Sequence, residues 1–382
     1  MADPAIREVD RRFGAHEQPC LDVTILLVAG GLLALIAGGE LLVRGASRLS
    51  ALLGLSPVVI GLTVVAFGTS APELAVGVQA AFGDRADLVV GNVVGSNIYN
   101  VLLVLGLSAL VAPLLVQQQL VRLDVPLMIV AAGAFFVLAL DGNIDTGEGL
   151  ALFLLLILYL VAVVRISRRE SVEVMQEYEA EFGAHQPRTA GAWLVNGLLI
   201  VGGLGLLVLG AGWLVDGAVA AAGALGVSEL VIGLTVVAIG TSTPELVTSI
   251  VASLRGERDI AVGNIVGSNI FNILCVLALT AFVAPGGVEV SAAALGLDIP
   301  FMLAVGVACL PIFFTGHVIS RWEGGLFLLY GAGYTAYLVL DATRHEILPV
   351  FSIVTLLFVV PLTVVTLVVV TTRQLQARGR RG

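Results

Sequence analysis

The chain reads as an all-α polytopic membrane protein: two inverted five-helix repeats form a ten-helix core, and one extra transmembrane helix follows at the carboxyl end. Three observations lead there. The 382 residues are 58% apolar and only 12% charged, with a mean hydropathy of +1.04, whereas a soluble domain carries about 25% charged residues. Eleven segments are predominantly apolar over about 20 residues, the length a helix needs to cross a bilayer. A forty-residue stretch also occurs twice, five crossings apart.

In chain order the spans fall at 21–43, 54–82, 88–114, 120–140, 149–166, 191–215, 229–254, 260–283, 292–314, 323–340 and 347–372. Residues 1–20 hold seven charged side chains and no apolar centre, so they read as an extracytoplasmic amino-terminal segment and not as a cleaved signal peptide. Residues 21–166 form the first repeat and 190–340 the second, joined by a cytoplasmic hinge loop, 167–189, with Arg168, Arg169 and five glutamates. The extra helix, 347–372, leads into a cytoplasmic tail, 373–382.

Arginines concentrate on cytoplasmic loops. One side holds Arg7, Arg11, Arg12, Arg85 and Arg344; the other fourteen, including Arg44, Arg48, Arg122, Arg165, Arg255, Arg258 and Arg321, lie opposite. This predicts a multi-pass protein of the cell (inner) membrane with its amino terminus outside and its carboxyl terminus in the cytoplasm. A net charge of −9 supplies no basic footprint, which argues against a nucleic-acid partner. Cys20, Cys275 and Cys309 are too widely spaced for a disulfide framework or a metal cluster.

The repeat carries the chemistry. Gly61–Asn100 and Gly233–Asn272 agree at 23 of 40 positions without a gap. Five is an odd number, so the second copy runs through the bilayer upside down, an arrangement that places substrate sites near the midplane. Weaker echoes follow in Leu123-Asp124-Val125-Pro126 with Leu297-Asp298-Ile299-Pro300, and in Glu148-Gly149 with Glu323-Gly324. The centre of each copy is Gly68-Thr69-Ser70-Ala71-Pro72-Glu73 or Gly240-Thr241-Ser242-Thr243-Pro244-Glu245. An interior proline removes a helical hydrogen bond, so each second helix should split, freeing carbonyls at Ala66, Thr69, Ala238 and Thr241.

Glu73 and Glu245 are ionisable groups at mid-bilayer, and insertion alone costs each about 3 kcal/mol. Two carboxylates about 4 Å apart repel by about 4 kcal/mol at an effective dielectric of 20. A divalent ion removes that repulsion. Calcium takes six to eight oxygens in a flexible shell, which suits two glutamates with threonine carbonyls, while zinc would recruit His or Cys. Ser96 with Asn100, and Ser268 with Asn272, are four apart and share a helical face; their neutral oxygens suit sodium. Asn92, Asn97, Asn264 and Asn269 fit interhelical hydrogen bonding better, and Gly91, Gly95, Gly263 and Gly267 fit close helix approach. Glu40 and Asp216 fall near segment ends, where Arg44 or Arg48 can pair with them; Asp124 and Asp298 suit helix starts.

The paired GTSAPE and GTSTPE cores, each followed by GNVVGSNIYN or GNIVGSNIFN, resemble the cation/calcium exchanger superfamily, most closely its prokaryotic sodium/calcium exchanger type. The resemblance implies that Thr69, Glu73, Thr241 and Glu245 bind Ca²⁺. It also implies that Ala66, Ser70, Ser96, Ala238, Ser242 and Ser268 line Na⁺ sites, with Asn100 and Asn272 at the centre, and that the first and sixth helices slide to switch access. The expected activity is Ca²⁺ export in exchange for Na⁺, with no cofactor, no enzyme chemistry and a monomer sufficient for transport. Sodium-coupled members tend to carry aspartate where Asn272 stands, so H⁺/Ca²⁺ exchange is the alternative on the same fold. A cation channel is the alternative of another class, and the lack of a symmetric filter loop argues against it.

Overall fold

A computed structural model describes residues 21–82, 86–182, 189–227, 229–232, 235–236, 238–314 and 316–361, with 364, 368 and 372 beyond them. The expectations for residues 1–20, Arg85, Arg188 and the tail fall outside that set. The helices are α1 (Leu21–Leu53), α2 (Pro57–Thr69), α3 (Ala71–Phe82), α4 (Leu88–Val111), α5 (Leu120–Asp141), α6 (Thr146–Phe182) and α7 (Ala190–Ala224). Then come α8 (Glu229–Ile232), α9 (Ala238–Thr241), α10 (Thr243–Leu254), α11 (Arg258–Val283), α12 (Ala294–Phe314), α13 (Arg321–Ala342) and α14 (Leu348–Leu357). Among the described residues eight helices are long and apolar enough to cross a membrane, and α2 with α3 makes a ninth crossing, bent by 41°.

Several lengths differ from the sequence expectation. The first helix runs ten residues past 43 and the sixth crossing, α7, runs to Ala224. At about 1.5 Å per residue, each exceeds the hydrocarbon thickness of about 30 Å. In α1 the chain stays helical because Arg44 and Arg48 can extend toward water from within a helix; the added turns of α7 carry Asp216 as their one charge. In the same way α6 continues to Phe182, into the stretch expected as a hinge loop.

The glycines of α1 and α7 show the inverted topology directly. The offset that aligns Gly61 with Gly233 also aligns Gly31 with Gly203 and Gly38 with Gly210. In space the pairing is crossed: a Cβ built on Gly31 would lie 2.8 Å from the Gly210 carbonyl, and one on Gly38 2.8 Å from that of Gly203. Equivalent helices therefore run antiparallel at backbone contact. Each fifth crossing likewise packs on the other half's third. Gly149 of α6 would meet the Ala278 carbonyl at 2.8 Å, and Gly324 of α13 that of Gly106 at 2.7 Å.

The Glu-Gly echo now has a reason: the glycines permit these contacts and the glutamates close capping boxes. Glu148 Oε2 accepts from Asp145 N at 2.9 Å, and Glu323 Oε2 accepts from Ser320 N at 2.8 Å. Two short antiparallel ribbons, Leu114–Leu115 with Val318–Ile319 and Asn143–Ile144 with Val288–Glu289, tie loops of one half to the other.

Asp124 and Asp298, expected at helix starts, lie in the second turn of α5 and of α12. Asp124, fully buried, accepts from Tyr159 Oη at 3.1 Å and Gln119 Nε2 at 3.3 Å, and Asp298 accepts from Tyr334 Oη at 3.0 Å. The two aspartates thus tie the fourth crossing of each half to its fifth. Glu40 pairs with Arg44, as expected, at 2.5 Å, and also with Arg255 at the end of α10. Cys275 and Cys309 are buried free thiols.

The backbone contact between α1 and α7 gives a test with an internal control. A Cβ on Gly203 would sit 2.6 Å from Leu42 N, while one on Gly202 meets nothing within 4 Å. Gly203→Ala is expected to destabilise the purified protein by about 1–3 kcal/mol, read as a lowered Tm in detergent, whereas Gly202→Ala leaves Tm unchanged or raises it.

Candidate cation site

The site begins at the two helix breaks. Pro72 and Pro244 have no N–H to give the carbonyls of Gly68 and Gly240, four residues back. The chain turns at Ser70 (φ −82°, ψ 3°) and Ser242 (φ −85°, ψ 8°). Each glutamate consequently falls in the first turn of the outgoing half-helix, Glu73 in α3 and Glu245 in α10. Helix starts carry a partial positive charge that favours a carboxylate.

The break is a one-residue kink, which corrects the expectation for Ala66. Its carbonyl already accepts Ser70 N at 3.0 Å, so it is not free in this arrangement. Ala238 lies in α9, with its side chain outside the described set, and Thr241 ends that helix half-buried.

The remaining residues converge, and all are buried: Thr69, Ser70, Glu73, Ser96, Asn100, Ser242, Glu245, Ser268 and Asn272. Thr69 Oγ1 donates to Asn264 Oδ1 at 3.0 Å and lies 3.4 Å from Ser268 Oγ, joining one half's break to the other half's α11. Ser96 Oγ donates to Glu73 Oε1 at 3.4 Å. The repeat's symmetry extends to the backbone: Asn92 Nδ2 donates to the Glu73 carbonyl at 3.1 Å, and Asn264 Nδ2 to the Glu245 carbonyl at 3.4 Å. Asn264 also donates to Ser249 Oγ at 3.1 Å. Asn92 and Asn264 thus act as interhelical ties, as the sequence indicated. The two carboxylates lie close enough to feel each other's charge, and Thr69 and Ser70 face Glu245.

Seven buried oxygens here have no hydrogen-bond partner: Glu73 Oε2, both carboxylate oxygens of Glu245, Ser70 Oγ, Ser242 Oγ, Asn100 Oδ1 and Asn272 Oδ1. Left unpaired, a buried acceptor costs about 1–3 kcal/mol, and a charged one more. Among the described residues neither glutamate has an ion-pair partner. Five of the seven are carboxylate or amide oxygens, which accept and do not donate, and buried acceptors left unanswered beside two acidic groups are chemistry for a cation.

Gly263 and Gly267 of α11 are buried against α2: a Cβ on Gly263 would meet the Val58 carbonyl at 2.7 Å, and one on Gly267 the Cβ of Ala66 at 2.7 Å. The close approach expected of these two glycines is realised; the stretch that the repeat places opposite Gly91 and Gly95, residues 230–238, lies partly outside the described set.

Inverted repeats, helices broken at mid-membrane and a buried acidic centre define a secondary transporter for cations. The chain belongs to the sodium/calcium exchanger family, whose pattern, described as sodium/calcium exchanger protein, matches residues 23–165 and 195–340. It is a cation/calcium antiporter, not an enzyme. It is 32% identical over 349 residues to the sodium/calcium exchanger MaX1 of Methanosarcina acetivorans, covering 84% of this chain and 98% of that one. It is also 39% identical over 287 residues to the inner membrane protein YrbG of Escherichia coli, covering 74% and 86%. The solved sodium/calcium exchanger of Methanococcus jannaschii superposes with a TM-score of 0.69 at 29% identity, covering 81% of this chain and 96% of that one.

Proposed function

We propose that the chain exports Ca²⁺ in exchange for Na⁺ by alternating access, from an inner membrane in which its amino terminus lies outside. The observation that carries this is the set of seven unpartnered buried oxygens, three of them on the two uncompensated carboxylates. One Ca²⁺ between Glu73 and Glu245, with Thr69 and Thr241 beside them, neutralises the site. Sodium, with a lower charge, suits the hydroxyls of Ser70, Ser96, Ser242 and Ser268 around the central amides of Asn100 and Asn272. Of the residues assigned to Na⁺ by resemblance, Ala66 offers no side-chain oxygen, and its carbonyl already accepts Ser70 N.

Sodium as the coupling ion is supported by the relatives named sodium/calcium exchangers. The second reading, H⁺/Ca²⁺ exchange, is favoured by one feature: asparagine stands at both 100 and 272, leaving two carboxylates that could each hold a proton. Isotope flux into proteoliposomes separates the two. A Na⁺ gradient at constant pH is expected to drive ⁴⁵Ca²⁺ counterflow; flux driven only by a pH gradient in Na⁺-free buffer would establish the alternative.

Two consequences follow for transport. Glu73→Gln or Glu245→Gln is expected to abolish Ca²⁺ uptake while the protein still elutes as a folded species, and normal uptake in either would refute the site. If three Na⁺ replace one Ca²⁺ at a site of charge −2, flux must respond to an imposed membrane potential, and insensitivity would exclude that stoichiometry.

A further inference from the structure

Four buried asparagines bond across the two halves, and their hydrogen bonds run in one direction. Asn97 Nδ2 donates to the backbone carbonyl of Asn269 at 3.3 Å, and Asn269 Nδ2 donates to that of Asn97 at 3.3 Å. The same two nitrogens reach Met302 Sδ and Met128 Sδ, each at 3.5 Å. Both donors of each outer amide are thereby engaged. What each outer amide has left is its oxygen. Asn97 Oδ1 accepts from Asn272 Nδ2 at 3.0 Å, and Asn269 Oδ1 accepts from Asn100 Nδ2 at 3.0 Å.

A backbone carbonyl can only accept, so it fixes the orientation of every amide above it. Asn97 and Asn269 must turn their nitrogens toward the carbonyls and their oxygens toward the inner pair. Asn100 and Asn272 must then spend their nitrogens on those oxygens, and their own oxygens are left facing the site without a partner. Turning an inner amide over would set oxygen against oxygen and forfeit the bond. All four residues are at most 3% exposed, so water does not compete.

We propose that Asn97 and Asn269 are positioning residues. Each acts across the repeat interface to hold the amide oxygen of Asn272 or Asn100 toward the transported cation. This rests on the cation-site reading above and deepens it. Asn97 governs Asn272 and Asn269 governs Asn100, so the central ligand from each half is oriented by the other half.

The pairing makes the test specific. Equilibrium ⁴⁵Ca²⁺ and ²²Na⁺ binding to the purified full chain is measured for Asn97→Leu, Asn269→Leu, Asn100→Ala, Asn272→Ala and their four double combinations, with Glu73→Gln in parallel. Each single asparagine variant is expected to weaken binding of at least one ion about tenfold. Asn97→Leu with Asn272→Ala should be no weaker than Asn97→Leu alone, and Asn269→Leu with Asn100→Ala no weaker than Asn269→Leu alone. The crossed combinations, Asn97→Leu with Asn100→Ala and Asn269→Leu with Asn272→Ala, should multiply to about a hundredfold.

Multiplication in all four combinations would reduce the outer pair to packing and overturn the inference, as would unchanged binding in the singles. Glu73→Gln keeps these failures apart from a failure of the site: intact binding there overturns the site reading itself. Where a leucine variant does not fold, Asn97→Asp and Asn269→Asp serve instead. As neutral acids they keep both the acceptor and one donor, and should restore binding to within about threefold of the parent. A loss as large as that of Asn272→Ala in Asn97→Asp, with the protein folded, would also overturn it.

Discussion

Two glutamates with no cationic side chain to answer them are the constraint from which the rest of this structure follows. Buried charge in a membrane is tolerated only when paired or functional, and the usual remedy, an arginine or lysine contact, is absent for Glu73 and Glu245 among the described residues. The protein instead brings oxygens. Prolines break the helices so that each glutamate sits in a first turn, serines occupy the kinks, and amides approach from α4 and α11. A charge that only a mobile ion can balance ties occupancy to conformation, as exchange requires.

The inverted repeat supplies this constellation at the cost of one sequence motif used twice. Antiparallel glycine contacts between α1 and α7, crossed packing of fifth on third crossings and two loop ribbons bind the halves into one framework.

Much of this was legible in the sequence, because it is written in local signals. The apolar spans, the duplicated forty residues, the proline breaks and the unpaired glutamates all follow from residue type and spacing. The one-residue nature of the kink was not, since whether a carbonyl is freed depends on backbone angles at Ser70, and Ala66 turned out to be satisfied. Nor were the π-helical turns that begin at Asn100 and Asn272 and widen the helix there. The roles of Asn97 and Asn269 depend on partners about 170 positions away, and no periodicity reports which atom of a distant amide is turned inward. The extra length of α1 was hidden by arginines that a helix accommodates at the interface, and that of α7 by the charge of Asp216.

The most direct test of the central claim is anomalous diffraction from crystals soaked in calcium or its heavier analogue strontium. A single strong peak is expected between the Glu73 and Glu245 carboxylates, within about 2.3–2.6 Å of their oxygens for calcium. A peak elsewhere, with none between those two side chains, would contradict the account.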